Sequence, residues 1–144
     1  MIKLQYSVEP KFESIADKAA KEWNNTLVNL YKLEKADFGD IIIKTGKIDR
    51  VKYPNRIAEC RHIGNFWYII MGDHVNWTIS SFKRFFGMGE DALACMVHEF
   101  GHVFDLPHAA NPNYVMHPEI GGSGKLSKEE KEQYRNFILN NKPI

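Results

Sequence analysis

The chain has 144 residues, of which 44% are hydrophobic and 26% are charged, and its formal net charge at pH 7 is +1. This size and composition are typical of a soluble protein with one buried core, so we expect residues 1–144 to form a single domain. The small net charge provides no field that would attract nucleic acid or an acidic membrane. No apolar run approaches the roughly 20 residues that a membrane span needs. Neither nucleic acid nor a membrane is therefore expected as a partner.

The N-terminus has no feature of a secretory leader. Residues 1–7 lack the apolar stretch and the small-residue cleavage site of a signal peptide, so a cytoplasmic location is expected unless a leader has been removed. The two cysteines, Cys60 and Cys95, do not make a disulfide framework. They allow one bridge, although two buried thiols are the simpler interpretation.

The first half of the chain predicts a helix among several strands. Residues 3–8 alternate weakly and predict a strand, and Pro10 then favours the start of a helix over about residues 9–25. Four further strands are predicted at 28–33, 40–45, 56–62 and 66–71. The polar strand 56–62 is expected at a sheet edge, and the apolar strand 66–71 at the centre.

The second half predicts two helices separated by an irregular segment. Apolar residues cover almost the whole circumference of a helix at 90–104, which predicts a buried helix. Residues 105–125 are irregular, and Ser127 with Glu130 forms a capping box at the start of a last helix. This order predicts an α+β fold: a mixed, mostly parallel twisted sheet with two packed helices, then a loop and a C-terminal helix.

Chemistry is concentrated in residues 98–108, which read HEFGHVFDLPH. His98 and His102 are one helical turn apart and can direct two imidazoles at one ion, while Glu99 can reach a water on that ion. His108 can be a third ligand if the helix ends and the chain turns back. Three protein ligands and a water are typical of a catalytic zinc, whereas structural zinc sites use four protein ligands.

This segment resembles the signature of the metzincins, HExxHxxGxxH followed by a Met-turn. Met116, in the sequence NYVMHP, resembles the Met-turn of the matrixins, and the run LSKEE at 126–130 resembles their entry into the last helix. The resemblance implies a small monomeric endopeptidase with one catalytic zinc held by His98, His102 and His108. Glu99 would be the general base, and residues 1–105 and 106–144 would form upper and lower subdomains.

The same resemblance implies how a peptide or protein substrate binds. An extended polypeptide would add to the edge strand at Ile57, Ala58 and Glu59. Tyr114 and Pro118 would line the pocket for the side chain after the scissile bond. Zinc would polarise the scissile carbonyl while Glu99 moves the proton from water to the leaving amine.

The chain also departs from the family pattern. Asp105 replaces the glycine that ends the active-site helix; it either adopts a left-handed backbone conformation or orients a ligand histidine. No cluster for a structural zinc or calcium ion is recognised, since His62, Asp73 and His74 make a weak set. Two alternatives stay open: a zinc-binding module for a protein partner with little peptidase activity, and an amidase that acts on cell-wall peptides.

Overall fold

The computed structural model describes residues 1–79, 89–119 and 124–141. Within them lie seven strands: β1 (Ile2–Val8), β2 (Tyr31–Lys35), β3 (Ile41–Gly46), β4 (Ala58–Ile63), β5 (Phe66–Gly72), β6 (Trp77–Thr78) and β7 (Glu90–Asp91). The same residues contain three α-helices: α1 (Glu13–Thr26), α2 (Ala92–Val103) and α3 (Lys128–Asn141). A single 3₁₀ turn, Pro10–Phe12, leads into α1.

Five strands form one sheet in the order β2-β1-β3-β5-β4. Neighbours are parallel from β2 through β5, and β4 alone runs antiparallel, against β5. The mixed, mostly parallel sheet and the α+β class are therefore confirmed, as is the edge position of β4. The strand β5 lies inside the sheet, between β3 and β4, although the middle strand is β3.

The core lies between one face of this sheet and the helices α1 and α2. Along β3, Ile41 and Ile43 are buried while Lys44 is exposed, which is the alternation expected of a sheet covered on one face. The two helices are joined by a buried hydrogen bond in which Trp23 Nε1 donates to the Val97 carbonyl at 2.9 Å. This contact holds α2 in position against α1, and α2 carries two of the candidate metal ligands.

Three element boundaries differ from the sequence prediction. The strand predicted at 28–33 begins only at Tyr31, because the chain turns at 27–30, where Asn29 has φ 67 and Val28 is 51% exposed. The edge strand begins at Ala58 rather than at residue 56, because a turn at residues 54–55 comes just before it and residues 56–57 are irregular. The helix predicted from residue 90 begins at Ala92, because Glu90 and Asp91 pair with β6.

The C-terminal part follows the predicted order. The capping box of α3 is confirmed: Glu130 N donates to Ser127 Oγ, and Ser127 N donates to Glu130 Oε1, each at 3.1 Å. The described part of the segment 105–125 contains neither helix nor strand, and residues 120–123 lie outside the described residues. Both cysteines are free thiols; Cys95 is buried and Cys60 partly buried.

Two further points concern membrane-spanning helices and the division into subdomains. No helix in the described ranges is long and apolar enough to cross a membrane. The division into an upper subdomain, 1–105, and a lower subdomain, 106–144, stays a prediction.

Candidate metal centre

Helix α2 carries two histidines and a glutamate into the interior. Its N-terminus is capped by Asp91, whose carboxylate accepts a hydrogen bond from Ala94 N at 3.1 Å. His98 is 3% exposed and Glu99 is 4% exposed, whereas His102, one turn later, is half-buried. The helix therefore holds three polar side chains at the base of a cleft, where burial without partners would be costly.

The end of α2 brings the third histidine back to the first two. Asp105 has φ 61, and two backbone hydrogen bonds close the turn around it. Leu106 N donates to Gly101 O at 3.2 Å, and Asp105 N donates to His102 O at 3.0 Å. This pair of bonds around a left-handed residue is a Schellman motif. The prediction that Asp105 ends the helix in the left-handed conformation is confirmed.

The three imidazoles meet in front of α2. The ring centroid of His108 lies 5.3 Å from that of His98 and 4.9 Å from that of His102. One ligand nitrogen from each of the three residues lies within 4.8 Å of the other two. The three histidines could therefore hold a metal ion.

Backbone carbonyls fix the tautomers of the two helical histidines. His98 Nδ1 lies 2.7 Å from Val115 O, and His102 Nδ1 lies 3.1 Å from Leu106 O. A carbonyl oxygen has no proton, so each Nδ1 must be the donor, and in the neutral ring Nε2 then carries only a lone pair. The two Nε2 atoms nevertheless face each other at 3.2 Å. Two lone pairs at this separation could share a cation.

The spacing of these nitrogens fits a transition metal. For Zn–N bonds of about 2.0–2.1 Å and tetrahedral angles, neighbouring ligand nitrogens are about 3.3–3.4 Å apart, close to the 3.2 Å between His98 and His102. Imidazole is a ligand for zinc, copper, iron and nickel rather than for calcium or magnesium. The donor set and its tautomers thus suit a metal such as zinc.

Burial keeps the imidazoles in the form that binds metal. Desolvation lowers the pKa of His98 to about 4, with the Val115 carbonyl opposing the shift. Desolvation is also the largest cause of the lowered pKa values of His102 and His108. At neutral pH all three rings are neutral and can coordinate.

Glu99 has a buried oxygen atom without a hydrogen-bond partner in the described part of the chain. Its Oε2 atom is buried and accepts no hydrogen bond from the described residues. Burial raises the pKa of Glu99 to about 8, with the Arg56 charge opposing the shift. A cation bound by the neighbouring histidines would lower this pKa again. Glu99 is thus a buried carboxylate with a perturbed pKa that lines a cleft beside three histidines which could hold a metal ion.

A cleft of about 1080 Å³ contains this centre. One wall is the edge strand β4 with the residues before it, the floor is α2, and the far wall is the turn after Met116. Of the predicted substrate-binding residues, Ile57, Ala58, Glu59 and Pro118 line the cleft. Tyr114 is not in its lining, and the Tyr114 hydroxyl accepts a hydrogen bond of 3.4 Å from Gln133 Nε2 on α3. The substrate-binding role of these five residues stays a prediction.

The chain shares a local similarity with a known protein. The chain is 42% identical over 50 residues to matrix metalloproteinase-25 of Homo sapiens. This match covers 35% of the chain and 8% of that protein. No model of a protein family matches the chain. A local likeness to a metalloproteinase thus accompanies a three-histidine cluster that could hold a metal ion.

The turn that contains Met116 supports the centre from below. His117 N donates to Tyr114 O at 3.1 Å and closes the turn, and Met116 within it is fully buried. A Cβ added to Gly101 would lie 2.3 Å from Met116 Sδ, so glycine permits the turn to pack directly on α2. Met116 therefore packs against α2 at Gly101, which lies between His98 and His102 in the sequence.

Glu130 connects α3 to the same turn, a role that sequence alone missed. Glu130 is 2% exposed, and its Oε2 accepts a hydrogen bond of 2.8 Å from Val115 N. The Val115 carbonyl in turn accepts the bond from His98 Nδ1. The capping box identifies Glu130 as a helix cap, but a local motif does not reveal that its second oxygen holds Val115, the residue whose carbonyl contacts His98.

Proposed function

We propose that the protein is a zinc-dependent endopeptidase that hydrolyses extended polypeptides. One observation carries the proposal: two bare imidazole nitrogens face each other at 3.2 Å, with the unsatisfied Glu99 carboxylate next to them in an open cleft. The metzincin-like spacing of the three histidines and the local likeness to a metalloproteinase support the same reaction class.

His98, His102 and His108 would hold the metal, and the Val115 and Leu106 carbonyls would orient two of the rings. Bound there, zinc would supply Lewis acidity and lower the pKa of a bound water. The resemblance to the metzincins would also give Met116 the role of the Met-turn, an apolar support beneath the ligands.

Proton transfer falls to Glu99. Its free Oε2 can accept a proton from the attacking water, and the same carboxyl can return it to the amine that leaves. Low exposure excludes bulk water and strengthens the electrostatic interactions of the carboxylate. No nucleophilic side chain and no covalent intermediate are needed.

The edge strand β4 would hold the substrate backbone. Gly72 N donates to Ile57 O at 2.8 Å, so the backbone groups of residue 57 are directed at β5. Along an antiparallel ladder this direction alternates, and the groups of Ala58 and Cys60 then point away from β5. An extended peptide can therefore add to β4 through Ala58 and Cys60, while the side chains of Ile57 and Glu59 line the cleft beside it.

Metal analysis and peptide cleavage test this proposal together. We expect about one zinc per chain, cleavage of a mixed peptide library, loss of cleavage with a chelator and recovery with zinc. Glu99→Ala should retain zinc and lower kcat by about 10²–10⁴-fold. Full turnover by a zinc-loaded Glu99→Ala protein would contradict the mechanism. Zinc binding without cleavage of any library peptide would favour the binding module, and cleavage of cell-wall peptides alone would favour the amidase.

A further inference from the structure

The loop between β3 and β4, residues 47–57, carries an excess of positive charge into the cleft. It contains four basic residues and one acid, Asp49. The Asp49 carboxylate is occupied, since its Oδ1 accepts hydrogen bonds from Val51 N at 3.1 Å and Lys52 N at 3.0 Å. Of the four bases, Lys52 and Arg56 line the cleft that holds the metal centre.

Tyr53 gathers these two cations on one ring. The Arg56 guanidinium carbon lies 3.6 Å from the ring centroid, and Lys52 Nζ lies 5.3 Å from it. Two turns fix the arrangement, because Tyr53 N donates to Asp49 O at 3.0 Å and Arg56 N donates to Tyr53 O at 3.2 Å. A guanidinium stacked on an aromatic face keeps its N–H edge free for a ligand. We call Lys52, Tyr53 and Arg56 the basic corner.

The charge of the basic corner is only partly balanced. Arg56 Nη1 lies 3.5 Å from Glu59 Oε2, which is a long contact, and the other oxygen of Glu59 is bound by Arg61 Nη2. The Lys52 ammonium has no carboxylate within ion-pair distance among the described residues. One acid, Glu59, is thus shared by two arginines, and Lys52 adds a further positive charge.

The position of the basic corner along β4 decides which part of a substrate it meets. The corner precedes Ala58, and the groups that would bind the substrate backbone belong to Ala58 and Cys60. A peptide that pairs antiparallel with β4 and has its scissile bond at the metal would place its residues after that bond toward the start of the strand. Arg56 is two residues before Ala58, a distance of about 7 Å along an extended chain.

We propose that the basic corner binds a carboxylate of the substrate on the C-terminal side of the scissile bond. This inference rests on the proposed peptidase function and adds a substrate class to it. The carboxylate belongs either to an Asp or Glu within about three residues after the bond or to the C-terminus of a short peptide. The guanidinium edge of Arg56 accommodates both carboxylate oxygens, and Lys52 adds a point charge.

The other acids of the cleft sharpen this preference. Glu90, Asp105 and Glu119 line other parts of the cleft: Glu90 lies on β7 just before α2, Asp105 just after α2, and Glu119 after the Met116 turn. They disfavour a substrate carboxylate elsewhere in the cleft, because like charges repel at short range. A carboxylate of the substrate therefore binds favourably at the basic corner and unfavourably beside the other walls of the cleft.

A binding assay tests the proposal independently of turnover. The probes are matched peptides with Glu or Gln at each of the three positions on either side of the scissile bond, made with a C-terminal acid or amide. Their Kd is measured by fluorescence anisotropy on zinc-loaded Glu99→Ala protein. When the varied position lies after the scissile bond, we expect the Glu peptide to bind about tenfold more tightly than its Gln counterpart, which is the effect of one charge-assisted hydrogen bond. The position series separates a side-chain carboxylate from a terminal one.

Two variants locate the effect. Arg56→Gln should reduce the Glu/Gln ratio of Kd values to about one, and Lys52→Gln should reduce it partly. Arg50→Gln is the matched control, since Arg50 has the same charge on the same loop but does not line the cleft. Higher salt should lower the wild-type ratio. A ratio near one in the parent protein, or an equal loss with Arg50→Gln, would overturn the proposal even if zinc-dependent cleavage is found.

Discussion

Asp105 is the residue at which the chain leaves the metzincin pattern, and its backbone conformation makes a testable series. Asp105 adopts φ 61 at the end of α2, a region that costs a non-glycine residue about 1–2 kcal/mol and costs Asp or Asn less. Its side chain is exposed, and no hydrogen bond joins it to the described residues. We therefore expect position 105 to need a residue that can adopt a positive φ, and not to need the carboxylate itself.

The series Asp105→Gly, Asp105→Asn and Asp105→Val separates these effects. Glycine relieves the local strain by about 1 kcal/mol but adds about 0.4–1 kcal/mol of unfolded-state entropy, so the net change should stay within about 1 kcal/mol. Asparagine should behave like aspartate. Valine resists a positive φ and should cost about 2–3 kcal/mol.

The zinc affinity should follow the same order. The Schellman turn positions the Leu106 carbonyl that accepts the bond from His102 Nδ1, and it returns the chain toward His108. Misplacing these groups in Asp105→Val should weaken zinc binding by about 10–100-fold, while the Gly and Asn variants stay near the parent. Competition with a chelating dye measures the affinity, and urea unfolding measures the stability. If Asp105→Gly binds zinc far more weakly than Asp105→Asn, the carboxylate itself matters and the backbone explanation is wrong.

Three further predictions test the support of the centre and the sheet. Gly101→Ala should lower the free energy of unfolding by about 1–2 kcal/mol, because overpacking against the buried Met116 outweighs a gain of about 1 kcal/mol in helix propensity. Urea unfolding measures this change, and a variant more stable than the parent would contradict the close contact between Gly101 and Met116. Glu130→Gln should cost about 1–3 kcal/mol and weaken zinc binding by about tenfold, since it disturbs the amide that leads into Met116; zinc affinity unchanged in a folded variant would exclude the coupling. Hydrogen bonds from Thr45 N and Oγ1 lower the pKa of Glu9, so its contribution to stability is present above the unfolded pKa and is lost as pH falls through the lower folded value. The unfolding free energy should then fall less steeply between about pH 5 and 3 in Glu9→Gln, and equal slopes would exclude that role.

Local patterns predicted most of the secondary structure, because the interactions that form it are themselves short in sequence. The capping box of Ser127 and Glu130 needed only its neighbours and was confirmed. The left-handed Asp105 was predicted from the signature glycine that it replaces, and it was also confirmed. The strand start at 28 was wrong, since Val28 is apolar yet lies in a turn that the chain needs to return from α1 to β2. Hydrophobicity alone does not distinguish an exposed turn residue from the first residue of a strand.

The candidate site divides in the same way. Spacing alone put His98, Glu99 and His102 within one turn of a buried helix, and the resemblance to a known signature added His108. The tertiary structure decided what orients those side chains. The Val115 carbonyl that fixes the His98 tautomer lies 17 residues later, and Glu130, which holds Val115, lies a further 15 residues on.

The wall of the cleft also depended on the fold. In the sequence Lys52 and Arg56 are ordinary charges in a polar segment, and nothing local sets them apart from Arg50. The antiparallel pairing of β4 with β5 at the edge of the sheet brings the preceding loop to the metal centre. The spacing of residues along the sequence thus determined which groups could bind a metal and move a proton. Long-range packing decided which carbonyls, charges and backbone edges face them, because such contacts join residues whose separation along the chain carries no periodic signal.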